Sequence, residues 1–313
     1  MQIKTIKKTI QNKIEEWVSS ITDENLKKEV IDNVLVSGGC ITSLLTNEKV
    51  NDYDVYISNV HTLKKIAEYY CNPFSNEMSI YSGYDKQIHI DKLNQEYSYL
   101  EKDGLKPLDS GIGYYFSFVR NLKPEQVKIY FESKSSFFMP DNDNKKEDEN
   151  YYPVHFSANS ISLKGDIQIV LRFTGDNVKI HESFDFIHAT NYWTKKDGLV
   201  TNKEALESIL TKRLKYQGSL YPLTSIVRVR KFIKRGWNIG AGELLKIMFQ
   251  ISELNLKDPD VLEEQLTGVD VAYFSMLIDA LRKHMGNNKD FELTSGYLNS
   301  LIDKMFDESD ELE

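Results

Sequence analysis

One segment, residues 34–57, constrains the fold of this chain more than any other feature. A short apolar strand ends at Gly38-Gly39, a helical turn follows at once, and Asp52 and Asp54 lie at the head of a second apolar strand. Two short buried strands joined through a helix are typical of a sheet with helices packed against it. The segment therefore predicts an α+β fold built on a mixed sheet flanked by helices.

Composition excludes several classes of protein. The 313 residues include 39 basic and 47 acidic side chains, a net charge of −8, whereas proteins that coat nucleic acid usually carry the opposite sign. The two cysteines, Cys40 and Cys71, exclude a disulfide framework and a cysteine-rich zinc site. No run of apolar residues is long enough to span a membrane, and the N-terminus lacks the apolar core of a secretory signal. We expect a soluble, intracellular, cytoplasmic protein without a membrane partner.

The pattern along the chain predicts two domains, a mixed α/β domain at residues 1–200 and an all-helical domain at residues 201–313. The polar run at residues 141–150 has no apolar side chain and is typical of a mobile surface loop. Helices are predicted at residues 3–19, 23–32, 41–45, 61–70, 203–216, 223–235, 243–254, 258–265, 269–284 and 295–306. Strands are predicted at residues 33–36, 53–57, 88–90, 127–131, 160–163, 167–173 and 184–193.

The glycine pair and the two acids have complementary chemistry. Gly38 and Gly39 let backbone N–H groups approach phosphate oxygens at the start of a helix. In an extended chain the side chains of Asp52 and Asp54 share one face, because side chains alternate with period two. Two neighbouring carboxylates repel each other, so a divalent cation is their natural partner, and Mg²⁺ prefers carboxylates together with phosphate oxygens and water. The segment therefore predicts a site for magnesium and a polyphosphate.

The order strand, Gly-Gly, helix, Asp-x-Asp, strand resembles the signature of the DNA polymerase beta superfamily of nucleotidyltransferases. The nearest form is that of tRNA nucleotidyltransferases and bacterial poly(A) polymerases. The resemblance covers residues 34–57, and Thr42-Ser43 stands where the tRNA-type enzymes often have Arg-Asp. It implies two Mg²⁺ ions and a nucleoside triphosphate donor, for which ATP is the default. Carried over, the triphosphate would contact Ser37, Gly38, Gly39 and Thr42, and the metal ions would bind Asp52 and Asp54.

The resemblance also implies a third carboxylate on a later strand. The first candidate is Asp185, which aromatic residues flank; the weaker candidates are Asp166, Asp176 and Glu182. A run of five cations at residues 228–235 could contact the triphosphate through Arg228 and Lys231, or could be a solvated helix face. His181 and His188 could bind phosphate or move a proton, but a lone histidine is more often structural.

Three functional readings remain open from the sequence. The first is a metal-dependent nucleotidyltransferase that moves an NMP from an NTP to an RNA 3′ end, a protein or a small-molecule hydroxyl. The second is a non-catalytic protein that keeps the fold as a viral structural, cargo or regulatory binding protein. The third is a toxin–antitoxin nucleotidyltransferase that modifies tRNA or a partner protein. The segment from Ile167 to Trp193 also resembles nucleotidyltransferase-like proteins of large DNA viruses and phages, so a protein encoded by a virus or phage is expected.

Overall fold

The computed structural model describes residues 2–96, 118–131, 136–138, 151–256 and 258–266, with Gly296, Asn299 and Ser300. The chain divides into two compact units. Unit 1 comprises Met1–Glu182 and His188–Ile209, and unit 2 comprises Ser183–Ile187 and Leu210–Glu313. The short stretch from Ser183 to Ile187 thus belongs to unit 2, although the chain on both sides of it belongs to unit 1.

Unit 1 is built on a mixed sheet. Its helices are α1 (Ile3–Ser20), α2 (Glu24–Asn33), α3 (Gly39–Thr46), α4 (Val60–Cys71), α5 (Lys86–Glu96), α6 (Asn177–His181) and α7 (Lys203–Thr211). Its strands are β1 (Val34–Ser37), β2 (Tyr53–Ile57), β3 (Met78–Ser82), β4 (Val127–Phe131), β5 (Ser136–Phe138), β6 (Pro153–Ser157), β7 (Ser160–Leu163), β8 (Ile167–Val170), β9 (Tyr192–Thr194) and β10 (Gly198–Val200). The predicted mixed sheet with flanking helices is confirmed.

Eight of these strands form one sheet in the order β10-β9-β1-β2-β8-β7-β6-β5. Strand β1 is antiparallel to both of its neighbours, whereas β2 and β8 are parallel. Strands β3 and β4 form a separate antiparallel pair. The order places β1 and β8 on opposite sides of β2, the strand that follows the predicted acidic pair.

One face of the sheet carries the hydrophobic core. Ile6, Ile10, Ile14 and Trp17 recur at helical spacing in α1, and none of their side chains is exposed to solvent. They pack in one cluster with the alternate residues of the central strands, for example Val55. Because side chains alternate along a strand, the residues between these apolar positions must face the other side of the sheet.

Unit 2 contains short strands and helices. The two-residue strands β11 (Arg213–Leu214) and β12 (Asn238–Ile239) are parallel. The helices are α8 (Pro222–Lys234), α9 (Ala241–Ser252) and α10 (Pro259–Leu266). In α8 the side chains of Ile226 and Ile233 are 47% and 52% exposed, whereas Val229 is buried.

The structure corrects three predicted elements. The segment Ile88-His89-Ile90 is predicted to be a strand, but it lies inside helix α5, because the flanking polar residues continue the helix. The strand predicted at residues 184–193 is reduced to Tyr192–Thr194, preceded by the 3-10 turn Ile187–Ala189. The helix predicted at residues 203–216 ends at Thr211, since Lys212 has a left-handed φ of 47°.

The strands predicted at residues 160–163 and 167–173 form the antiparallel pair β7 and β8, although β8 ends at Val170. The polar run at residues 141–150 and the helices predicted at residues 269–284 and 295–306 lie outside the described residues, apart from three isolated positions. In the described ranges, no helix combines the length and apolar character that crossing a membrane would require.

Candidate functional site

Gly38 forms the bend between β1 and α3. Its φ of 89° and ψ of −149° are a backbone conformation that residues with a Cβ rarely adopt. A Cβ atom at this position would lie 3.0 Å from Oδ2 of Asp54. The glycine therefore both makes the turn and leaves room for the carboxylate of Asp54. The predicted proximity of the glycine bend and the acidic strand is present in the structure.

The two acids of the predicted pair are close to the start of α3. Asp54 is half-buried in β2, and Asp52, just before the strand, is exposed. Burial raises the pKa of the Cys40 thiol far above its usual value, and the negative charge of Asp54, then that of Asp52, adds to the effect. Both carboxylates thus lie within electrostatic reach of Cys40, the second residue of α3. The buried, protonated thiol is not a nucleophile.

One of the backbone N–H groups at the bend already has a hydrogen-bond partner within the fold. The N–H of Gly38 donates to the carbonyl oxygen of Ala189 at 3.1 Å. Gly39 begins α3, and a Cβ atom built on it would meet nothing within 4 Å. An anion at this helix start would therefore be bound from Gly39 onward, by the N–H groups of the first turn.

Ser37, the residue before the bend, connects it to later parts of the chain by hydrogen bonds. It is fully buried, and its hydroxyl lies 2.8 Å from the carbonyl oxygen of Asn191 and 2.9 Å from Nε2 of His181. Burial lowers the pKa of His181 to about 4, so its ring is neutral near pH 7. A serine hydroxyl has one proton to donate, so the ring N–H donates to Ser37 and Ser37 donates to Asn191. The hydroxyl of Ser37 thus forms hydrogen bonds within the fold, and its contact with phosphate stays a prediction.

Thr42 has a similar arrangement one turn into α3. The residue is 5% exposed, and its hydroxyl donates to the carbonyl oxygen of His188 at 3.1 Å. The carbonyl group of His188 therefore accepts from the Thr42 hydroxyl, and the carbonyl group of Ala189 accepts from the Gly38 N–H. The contribution of residues 188–191 to the shape of the bend was not visible in the sequence, because it operates through main-chain atoms.

Asp185, the first candidate for a third carboxylate, lies in unit 2. Its side chain is 3% exposed and forms an ion pair with Arg228 at 2.6 Å. The hydroxyl of Ser219 also donates to it at 3.0 Å, and the N–H of Gln217 donates to its carbonyl oxygen. Arg228 thus has a carboxylate partner, while Lys231 is exposed on α8.

The weaker candidates have positions of their own. Asp166 is exposed at the hairpin between β7 and β8, with a left-handed φ of 60°. Asp176 is the N-cap of α6 and accepts from the N–H of Lys179, and Glu182 follows the same helix. Across the part of the chain that the structure describes, no three His, Cys, Asp or Glu side chains come together as a potential metal site.

The strand next to Asp54 provides an amide instead of an acid. Gln168 of β8 is the Cα partner of Asp54 in the parallel β2–β8 pair. Alternation with the buried Ile167 and Ile169 places Gln168 on the same face as Asp54. The alternation was visible in the sequence, but the pairing of β8 with β2 was not, so Gln168 was missed.

The Asp52–Asp54 pair fits magnesium on the chemistry of its donors. Asp54 offers carboxylate oxygens at the bend, where no Cβ of Gly38 intrudes, and Asp52 offers its own from a position two residues earlier in the chain. Mg²⁺ ordinarily keeps several waters and takes one or two carboxylates together with substrate phosphates, so the pair is sufficient for one ion.

A mixed sheet whose glycine bend adjoins two carboxylates defines an α+β protein with a candidate anion and cation site. The sequence profile of the Gad2 family, described as Gabija anti-defense 2 family protein, matches residues 8–212. The chain belongs to this family.

The similarity to individual proteins is lower. "Gabija anti-defense 2" of Bacillus phage SPbetaL7 is 22% identical over 238 residues, which is 70% of this chain and 59% of the relative. The chain thus spans less than two thirds of that relative. Among solved structures, the Thermotoga maritima CCA-adding enzyme complexed with tRNA gives a TM-score of 0.36 at 15% identity, over 86% of this chain and 54% of that chain. The Bacillus stearothermophilus CCA-adding enzyme in complex with CTP gives 0.33 at 11% identity, over 86% and 51%. Scores of this size do not define a function.

Proposed function

We propose that this chain is a magnesium-dependent nucleotidyltransferase of a phage, which counteracts Gabija defence by moving an NMP from an NTP, by default ATP, to a hydroxyl acceptor. The observation that carries the proposal is the contact between the Gly38 bend and Asp54, and Asp52 lies two residues earlier in the chain, directly before β2. A polyphosphate needs backbone donors, and the cation that accompanies it needs carboxylates. The bend and the strand supply both within a few ångströms.

Each part of the site has a separate task in this proposal. The N–H groups at the start of α3, from Gly39 onward, bind phosphate oxygens. Asp52 and Asp54 hold Mg²⁺, which when bound neutralises charge on the phosphates. The buried residues Ser37 and His181 fix the bend, so that the donors and the carboxylates are in place before the nucleotide binds.

A transfer assay tests the proposal. The purified protein is incubated with [α-³²P]ATP and Mg²⁺ together with the purified Gabija proteins or total host tRNA. We expect the wild-type protein to transfer label and the Asp52→Ala/Asp54→Ala variant to lose transfer on the order of 100-fold or more, since a metal-bound charge contributes several kcal/mol. The matched control is Asp32→Ala, which removes a carboxylate from an exposed surface ion pair with Lys195.

A protection assay connects the chemistry to the biology. A Gabija-bearing host that expresses the wild-type protein should be infected efficiently, and the double variant should not protect the phage. If the double variant protects as well as the wild type, the protein acts without nucleotide transfer and the binding-protein reading replaces the enzymatic one.

A further inference from the structure

A line of polar residues crosses the sheet beside Asp54. Gln168 of β8 is the Cα partner of Asp54, Ser162 of β7 is the partner of Gln168, and His155 of β6 is the partner of Ser162. We call these four residues the polar row. Each of the four side chains is partly exposed. Since neighbouring strands lie about 4.8 Å apart, the row is about 14 Å long.

The polar row lies on the face of the sheet opposite the core. Seven of the eight neighbours of its members along the strands are buried in the main hydrophobic cluster, among them Val55, Ile161, Phe156, Ile167 and Ile169. The eighth, Val154, is partly exposed and lies at an irregularity in the register between Pro153 and His155. Four strands thus turn apolar residues to one face and a polar residue to the other at the same level. The four polar residues are cross-strand partners of one another, so they form one continuous polar surface across four strands. This surface begins at Asp54.

The row lies on a defined side of the proposed site. Strand β1, which ends at the Gly38 bend, borders β2 on one side, and β8 borders it on the other. The triphosphate is proposed to lie over the bend. In phosphoryl transfer the attacking and leaving oxygens are in line, so the acceptor must approach from the side away from the leaving pyrophosphate. The polar row occupies that side of Asp54.

The charge of this surface favours a polypeptide acceptor over a polynucleotide. The polar row contains one carboxylate and neutral amide and hydroxyl groups, together with His155. The next level of the same face, Val170, Ser160 and Ser157, contains no cation. A polynucleotide is bound mainly through its phosphates by lysine and arginine, which neither level provides. An extended polypeptide rises about 3.3 Å per residue, so about four residues match the length of the row.

We propose that the polar row binds the acceptor, and that this acceptor is a polypeptide segment with a serine, threonine or tyrosine hydroxyl. This inference rests on the proposed nucleotidyl transfer. The acceptor oxygen forms a bond to the α-phosphorus, and the bond from that phosphorus to the bridging oxygen breaks. Pyrophosphate leaves with the electron pair, and the hydroxyl proton passes to water. Gln168 and Ser162 position the acceptor main chain through hydrogen bonds.

Three single variants test the acceptor site. Gln168→Met and Ser162→Ala remove hydrogen-bonding groups from the row at nearly constant size, and Ser19→Ala is the matched control because it removes an exposed hydroxyl from α1. Transfer from [α-³²P]ATP is measured with the purified Gabija proteins and with total tRNA as acceptor probes. The affinity for Mg²⁺·ATP is measured separately by titration, and folding is checked by thermal unfolding.

We expect label in protein and not in tRNA. The two row variants should raise the KM for the protein probe about tenfold, while the affinity for Mg²⁺·ATP stays within about twofold and the control behaves as the wild type. Label in tRNA, or row variants with an unchanged KM, would overturn the acceptor site while leaving nucleotidyl transfer intact. A wild-type protein that neither binds ATP nor transfers label would instead overturn the proposed function, and the acceptor site with it.

Discussion

The carboxylate of Asp54 lies against Gly38, so close that a Cβ at the glycine would be 3.0 Å from Oδ2. This relationship joins two parts of the chain that are separated by a helix and a loop. It requires β1 and β2 to be antiparallel neighbours, with Val36 paired to Val55. The strand pairing therefore sets the distance between the glycine bend and the proposed metal ligand Asp54.

Substitution of the two glycines should separate folding from binding. Gly38→Ala places a side chain at a φ of 89° and against Asp54, so we expect a loss of about 1–3 kcal/mol of unfolding free energy together with loss of Mg²⁺·ATP binding. Gly39→Ala has open space around the new methyl group and alanine favours a helix, so its stability should change by less than about 1 kcal/mol. Its ATP affinity should nevertheless fall, because the methyl group occupies the space proposed for phosphate. Urea unfolding and ATP titration measure the two effects, and unchanged ATP affinity in Gly39→Ala would argue against phosphate at this helix start.

The pH dependence of stability should report the buried His181. Its folded-state pKa of about 4 lies below its usual value of 6.5, so between these values the unfolded chain binds more protons than the folded protein. Stability should therefore rise with pH across this window, with a slope from this group of at most about 1.4 kcal/mol per pH unit, and level off above it. In His181→Gln this part of the slope should be absent. Urea unfolding between pH 4 and 7 measures it, with the exposed-site variant His61→Gln as the control.

The Asp185–Arg228 pair should stabilise unit 2. Arg228→Ala leaves an almost fully buried carboxylate with only the hydroxyl of Ser219, and we expect a cost of about 1–3 kcal/mol. Asp185→Asn in the same background should restore part of this loss, because it removes the uncompensated charge. Lys231→Ala, an exposed cation on the same helix, serves as control.

The same variants distinguish a structural from a metal-binding Asp185. If Asp185 acts only through Arg228, Asp185→Asn alone should keep the Mg²⁺ dependence of ATP binding. If Asp185→Asn has normal stability but needs a higher Mg²⁺ concentration to bind ATP, Asp185 contributes to the metal site. This is the role that the resemblance to nucleotidyltransferases implies.

Local patterns in the sequence were sufficient for the central segment. The glycine bend, the strand that contains Asp54 and the apolar spacing of α1 each depend on neighbours within one element, and the structure has all three elements, with Asp52 just before the strand. The strand prediction at residues 88–90 is wrong because two isoleucines on either side of a histidine fit a helix equally well when polar neighbours extend it.

Long-range pairing could not be obtained in the same way. The hairpin of β7 and β8 was visible, but the choice of β2 as the other neighbour of β8 is made by packing across more than a hundred residues. For this reason Gln168 was not recognised. Asp185 was selected from its aromatic neighbours, and those neighbours indicate burial, which an ion pair with Arg228 satisfies.

A carboxylate at position 168 should change the response of the protein to magnesium. Gln168→Glu would place a third negative charge on the strand beside Asp54, where like charges repel in the absence of a cation. We therefore expect the melting temperature without Mg²⁺ to fall by about 2–4 °C, which corresponds to about 1 kcal/mol for a protein domain of this size. With Mg²⁺ the variant should gain more stability than the wild type, because the added carboxylate is a further oxygen ligand. Gln168→Met, of similar size and without charge, should show neither change. Thermal unfolding across a magnesium titration measures both signs, and a Gln168→Glu protein that responds to Mg²⁺ as the wild type does would show that position 168 does not face the cation held by Asp52 and Asp54.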